Sequence, residues 1–327
     1  ELNDNLNGKE ALGWAARSIN YRSNAYSQMA DIFLTEKNYE KALTYAKRSL
    51  EYNTKNIPSL EIIVICNRYL KNKEEHELAI QKIEKIDPIH HIISFEKFFS
   101  SWEEVNKTKV INSHQSELSY QTYLELAISY YNRGLVEEAI NILDIGPEEL
   151  INNIWKAYLK GDKNELIYIL TNSNINFSFP FRRESIKILS WAREIYPNWK
   201  LDYLLSLNLW GKGRYKESHD LLSNIGEKSD NPIFYLNRGL MLEKLDIDPI
   251  NDFNKAYKLN DKNWRISRAL SNYHFNSMDY NLSYEILKKL FKNDNNNYII
   301  GMDYVKTLVK LEKYSSAISV LDNLHIL

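Results

Sequence analysis

DNPIFYLNRGLMLEKLDIDPINDFNKAYKLNDKN (230–263), WRISRALSNYHFNSMDYNLSYEILKKLFKNDNNN (264–297) and YIIGMDYVKTLVKLEKYSSAISVLDNLHIL (298–327) decide the fold. They start at Asp230, Trp264 and Tyr298, each 34 residues after the last. The seventh residue of each is Leu236, Leu270 and Tyr304, the eleventh Leu240, His274 and Leu308, and the twenty-fourth Phe253, Leu287 and Leu321. Within each stretch the apolar residues recur at helical spacing in two runs. The period therefore predicts two helices per unit, each unit burying its apolar side on the next. Leu236, Leu270 and Leu287 are expected to be interface core.

The pattern extends towards the N-terminus. Ser23 and Ile57 start two further units of the same length, covering 23–90. The first carries Tyr26, Met29, Ala30 and Phe33 on one helix and Tyr39, Ala42, Leu43, Ala46 and Leu50 on the other. The second carries Leu60, Ile63, Val64 and Tyr69 facing inward, then Ile80, Ile83 and Ile86, and Asp87-Pro88 ends it because proline cannot continue a helix. Residues 1–22 are expected to form one capping or partial-repeat helix over Gly8–Tyr21, with Leu12, Ala15, Ala16 and Ile19 on one stripe. Residues 91–119 depart from the period and read as an irregular helical insert, and 120–170 as one full unit plus a shortened helix pair. The stretch 171–183, with Phe177, Phe179, Pro180 and Phe181, reads as an aromatic loop packed down on the helices. Residues 184–327 read as a helix and four units, Asp248-Pro249 making an N-cap and a first helical position. The predicted architecture is all-α: one continuous α-solenoid, a right-handed superhelix of antiparallel helix pairs.

Composition excludes several functions. The chain has 327 residues, 44% apolar and 26% charged, with a formal net charge of −1. The sequence pI is about 6.8, which opposes a nucleic-acid binder, including an RNA-reading α-solenoid, because such binding rests on neutralised phosphates. No run of 18 apolar residues is present to span a membrane. No cofactor is implied: the ten glycines are scattered, and no histidine set has metal-ligand spacing. His90-His91 beside Asp87 is the nearest approach to one, and neighbouring helical residues point about 100° apart. Cys66, the only cysteine, sits in an apolar run and reads as an inert core thiol. The chain starts at Glu1 without a signal-peptide pattern, so it is expected to be part of a longer polypeptide or a processed form. The compartment is left open, with a lean to the cytoplasm.

The units at 23–56, 57–90, 120–153 and 230–327 resemble tetratricopeptide repeats, with Ala30, Ala42, Ala127, Ala139, Ala256 and Ala317 at the small-residue positions. Val64, Asn237, Ser271, Val305, Pro249 and Ser283 depart from that pattern. The stretches YQTYLELAISYYNRGLVEEAINILDIGP and NYIIGMDYVKTLVKLEKYSSAISVLDNLHIL also resemble the repeat region of large Bacteroidetes-type proteins, in which a β-sandwich domain of unknown function precedes the repeats. The resemblance implies a non-enzymatic scaffold. Its first helices line a concave groove for a peptide or protein segment, or for a domain of its own polypeptide. The groove positions predict Tyr203, Trp210, Phe234, Arg238, Arg268, Asn272, Phe275 and Lys306 as the binding surface. Some tetratricopeptide domains clamp a peptide carboxylate at these positions, but Phe234 and Met302 stand where such clamps carry a basic residue. The alternative is an accessory helical module of a larger enzyme, one acting on carbohydrate for example.

Overall fold

The computed structural model describes residues 5–116, 118–176 and 178–324. They form twenty α-helices and no strand among the described residues. The chain divides into two units, Glu1–Ser173 and Asn174–Leu327.

Unit 1 contains α1 Asn5–Ala15, α2 Ile19–Thr35, α3 Tyr39–Tyr52, α4 Ile57–Tyr69, α5 Lys73–Ile86, α6 Ile92–Ser101, α7 Glu104–Ser113, α8 Ser119–Asn132, α9 Val136–Ile145, α10 Leu150–Lys160 and α11 Lys163–Asn172. Unit 2 contains α12 Ser185–Ile195, α13 Trp199–Gly211, α14 Tyr215–Ile225, α15 Pro232–Lys244, α16 Ile250–Leu259, α17 Trp264–Asn276, α18 Tyr280–Asn293, α19 Tyr298–Lys310 and α20 Tyr314–Asn323. In each unit consecutive helices pair and stack, as an α-solenoid does.

Local chemistry repeats with the period. Asn38 and Asn72 cap α3 and α5 by accepting from the backbone N–H of Lys41 and Glu75. Asn263 and Asn297 cap α17 and α19 in the same way. The turn inside a pair places one residue in the left-handed region. Gly134, Gly161 and Gly213 fill it in three pairs, and Lys37, Lys71, Trp102, Asp246, Met278 and Glu312 in six others. Only the glycines announce that turn in the sequence.

Ala30, Ala42, Ala127, Ala139 and Ala256 are completely buried, so the paired helices approach closely there. The pair α15/α16 has Asn237 at the first of these positions, and its close approach moves to Gly239. A Cβ on Gly239 would lie 2.5 Å from Phe253 Cε1. Between α18, α19 and α20, Leu287, Leu290, Ile300, Tyr304, Val305, Leu308, Ala317, Val320 and Leu324 form one apolar cluster. Leu236 and Leu270 are buried as expected, whereas Leu240 is 44% exposed.

Other expectations are corrected. The predicted helix Gly8–Tyr21 is two helices, because Ser18 adopts extended backbone at the N-cap position of α2. Arg22 donates to the carbonyls of Ala16 and Arg17 and holds the turn, leaving Ile19 exposed. In the stretch 171–183, Ile175, Ser178 and Pro180 are buried but Phe179 is 47% exposed, and Phe177 lies outside the described residues. The loop is held by Asn208, which donates to the carbonyls of Pro180 and Arg182. Pro249, not Asp248, is the cap residue of α16, although the Asp248 carboxylate accepts from the Ile250 N–H. Tyr69 is partly exposed rather than inward, and its ring stacks on Tyr39 at 4.6 Å.

Candidate interaction surface

The predicted groove residues separate into three groups. Three are structural. Phe234 is completely buried on α15, edge-on to Trp199, Tyr203 and Tyr235. Tyr203 on α13 is 2% exposed, its hydroxyl accepts from Asn237 Nδ2 at 2.6 Å, and burial pushes the phenol up to about 12. Arg238 makes a two-pronged pair with Asp252 of α16, Nε to Oδ2 at 2.8 Å and Nη2 to Oδ1 at 2.6 Å. Its Nη1 donates to the Gly226 carbonyl at 2.7 Å, and the guanidinium lies 4.9 Å from the Phe234 ring centre. These three do not form an open surface. A helical register places a Cβ, but the reach of an arginine to a carboxylate on the next helix depends on tertiary packing.

Two more are half-buried against their neighbours. The Trp210 ring lies 4.6 Å from Tyr215, and the Phe275 ring 5.3 Å from Tyr280. Each covers the turn into the second helix of its own pair.

The remaining three sit on or beside an open face. Arg268 and Asn272 of α17, with Leu236, Asn237, Leu240, Trp264, Arg265 and Ala269, line a hollow of about 310 Å³ between α15 and α17. No carboxylate is among these lining residues. Arg268 Nε donates to Asp303 Oδ2 of α19 at 2.6 Å, which fixes the guanidinium at the edge of the hollow. Lys306 Nζ stands 3.4 Å from the other Asp303 oxygen with its side chain 61% exposed. Arg265 lies over the Trp264 ring, 4.7 Å from its centre. The hollow thus has an apolar floor, two guanidinium groups and two carboxamides, that of Asn237 already donating to the Tyr203 hydroxyl. Arg265 is a groove position by the same helical phase, but Trp264, Leu240 and Asp303 were not among the predicted binding residues. Leu240 reads as core, and Asp303 shows its role only when α19 is placed beside α17.

The corresponding face of unit 1 is tied across. Arg133, at the end of α8, donates to Asp31 of α2 at 3.0 Å and to Glu61 of α4 at 2.6 Å. Burial alone would lower its basicity, but Glu61 and Asp31 outweigh it and hold the guanidinium more basic than an ordinary arginine. Arg68 of α4 likewise bridges Glu96 at 2.8 Å and Glu138 at 3.0 Å. Tyr130 donates to Glu96 at 2.6 Å and Tyr69 to Glu138 at 2.5 Å. The Tyr130 phenol is pushed up by burial and then by Glu96. This network joins α4, α6, α8 and α9 through groups that would be costly to bury singly.

Among the described residues the histidines are spread over separate packing contacts. His91 and His114 rings lie 4.8 Å apart, His90 Nε2 is 3.3 Å from Glu61 Oε1, and the His114 Nδ1 lies 2.8 Å from the Val110 carbonyl. Among the described residues no three His, Cys, Asp or Glu side chains are placed to hold a metal ion. The Cys66 thiol is fully buried and pushed up to about 12 by burial, then by Glu96 and Glu40. No helix of the described residues is long and apolar enough to cross a membrane.

No family model and no curated protein matches the chain. Solved structures do. A tetratricopeptide repeat protein from Parabacteroides merdae is 14% identical with a TM-score of 0.37, covering 62% of this chain and 77% of that one. Yeast Tom70 is 13% identical with a TM-score of 0.37, covering 96% and 72%. The APC/C hetero-tetramer Cut9-Hcn1 is 10% identical with a TM-score of 0.36; the match covers 91% of this chain and 58% of that one.

Proposed function

We propose that the chain is a protein-interaction scaffold, and that it receives a protein segment in the hollow between α15 and α17. Arg265 and Arg268 bind carboxylates of the segment, Asn272 binds its backbone, and Leu236, Leu240 and Trp264 take an apolar side chain. Lys306 extends the positive edge. The reading rests on one contrast. In unit 1, Arg133 and Arg68 are spent on Asp31, Glu61 and Glu96 of neighbouring first helices. Those of unit 2 leave a cationic, apolar-floored hollow open. Arginine and aromatic side chains that a partner desolvates on binding are the usual anchors of a protein interface.

The partner class follows from charge. Two cations without a lining carboxylate favour an acidic segment and disfavour a basic one. The experiment is selection from a displayed library of short peptides by the intact chain, beside Arg265→Glu/Asn272→Ala. Acid-containing sequences enriched only by the parent chain are the expected result. The same enrichment by both proteins, or none by the parent, rejects the hollow as the site.

A further inference from the structure

Arg265 of α17 is exposed, and among the described residues its guanidinium makes no hydrogen bond or ion pair; it lies against the Trp264 ring. The Asn272 carboxamide, about two turns further along α17, has no hydrogen-bond partner among the described residues either. Arg268, between them, commits its Nε to Asp303 and leaves both Nη groups unused. Other arginines that reach a neighbouring helix are consumed: Arg68, Arg133, Arg193 and Arg238 each hold a carboxylate there. Arg265 and Arg268, three residues apart, share one face of α17 and line the same hollow. With Lys306 and Asp303 at its edge, three cations face one carboxylate, a surplus of two positive charges.

That surplus matches a phosphate monoester. Such a group carries a charge of about −1.5 to −2 at neutral pH and offers three acceptor oxygens at one point. A carboxylate brings a single charge, and two carboxylates packed side by side to supply the second would repel one another. We propose, resting on the acidic-segment reading of this hollow, that its preferred ligand is a phosphorylated serine or threonine set beside an apolar residue. Arg265 and the Nη groups of Arg268 hold the phosphate through charge-assisted hydrogen bonds, and Asp303 keeps the Arg268 guanidinium in place. Leu240, 44% exposed, and Trp264 take the apolar neighbour. A free phosphate ion would leave that floor uncovered, so the phosphate comes on a protein segment. Attachment of the partner is thereby switched by its phosphorylation.

The experiment is a fluorescence-anisotropy titration of three labelled octapeptide pools with the intact chain. The pools differ only in one central residue, serine, glutamate or phosphoserine, which has leucine on either side and random flanks. The phosphoserine pool should bind about ten-fold or more tighter than the glutamate pool, and the serine pool weakest. The advantage of phosphoserine over glutamate should shrink between about pH 7.5 and about pH 5.5, because the phosphate takes up a proton near pH 6 while glutamate keeps its charge. It should vanish in Arg265→Glu and persist in Arg214→Ala, an exposed arginine of α14 away from the hollow. Arg265→Glu replaces an exposed side chain, and thermal unfolding verifies its fold. Equal binding of the phosphoserine and glutamate pools, both lost in Arg265→Glu, overturns the phosphate inference and leaves the acidic-segment function standing. No binding by any pool, or equal binding by parent and Arg265→Glu, overturns both. Inorganic phosphate competing as well as the phosphopeptides, or sedimentation showing a dimer that Arg265→Glu dissolves, also overturns the inference, since the ion or a second copy would then be the occupant.

Discussion

Arg133 donates to Glu61 at 2.6 Å although 72 residues of chain separate them, and the same guanidinium reaches Asp31 at 3.0 Å. One side chain on α8 thereby ties α2 and α4, and the face those helices would offer a ligand is spent inside unit 1. Glu61 is 15% exposed at its side chain and Asp31 46%, so most of the energetic weight lies on Glu61. Removing the arginine strands a largely buried carboxylate. Arg133→Met should destabilise the chain by about 3 kcal/mol, the lower end for a broken buried pair because Asp31 can rehydrate. Chemical denaturation of parent and variant measures this. A change under about 0.5 kcal/mol, the size of an ordinary surface substitution, would show that the tie is incidental.

Arg238 and Arg268 read alike in the sequence but should respond differently. Arg238 and its partner Asp252 are 14% and 7% exposed, whereas Arg268 is 36% exposed beside Asp303. Arg238→Ala leaves Asp252 buried without its cation and should cost about 3–5 kcal/mol. Arg268→Ala should cost about 1 kcal/mol or less. Paired thermal and urea unfolding distinguish them, and equal losses would contradict the division between structural and surface arginines.

Leu287 and Leu321 occupy the same place in successive repeats but differ in cover. Leu287→Ala should lose about 2–5 kcal/mol, the cost of a cavity in a packed core. Leu321→Ala should lose less than about 1 kcal/mol in the isolated chain. Similar losses at both would mean that α20 is covered as α18 is.

Met278 holds a left-handed conformation, φ 63°, with 77% of the residue exposed. A side chain there costs energy that glycine avoids, and no buried contact is lost on truncation. Met278→Gly should stabilise the α17/α18 pair by about 0.5–1 kcal/mol after the entropy gained by the unfolded chain is deducted. A lower melting temperature for the variant would refute the assigned turn.

The His91 imidazole is held below the ordinary value of 6.5 by burial first, then by His114 and His90, while Asp87 and Glu125 pull the other way. The unfolded chain therefore binds a proton at this residue more readily than the folded one. That contribution to stability is fully present above about pH 6.5 and is lost as the pH falls towards the folded value. His91→Gln should flatten the fall in melting temperature between about pH 7 and about pH 5. An unchanged slope would place the acid sensitivity elsewhere.

The helices were legible because their determinants are local and recur. Asn263 and Asn297 cap helices one period apart, and Leu236 and Leu270 fall on the buried face that the spacing predicts. Short-range features without a marker were not legible. The break at Ser18 depends on Arg22 reaching back to Ala16, and the left-handed Lys37, Lys71 and Met278 are residues that do not ordinarily signal such a turn.

The site was less legible than the fold. Helical phase put Arg268 and Asn272 on a groove wall, and in the structure they line the hollow, with Lys306 beside it. Phe234, Tyr203 and Arg238 came from the same phase and went into the interior. Phase gives the direction of a side chain from its own helix axis, whereas exposure depends on what the next helix brings. Asp252 captured Arg238, and the rings of Trp199 and Tyr235 closed around Phe234.

The amino-acid order alone determined that the chain is an all-helical stack of pairs with a 34-residue period. Periodic burial of apolar faces is a one-dimensional property that survives without knowing any long-range contact. Only the tertiary structure decided which face stays open. Ion pairs such as Arg133–Glu61 and Arg238–Asp252 form between helices whose approach no local pattern encodes. A buried charge that meets its counter-charge, as Arg238 meets Asp252, becomes part of the frame, whereas Arg268 stays more than a third exposed beside Asp303.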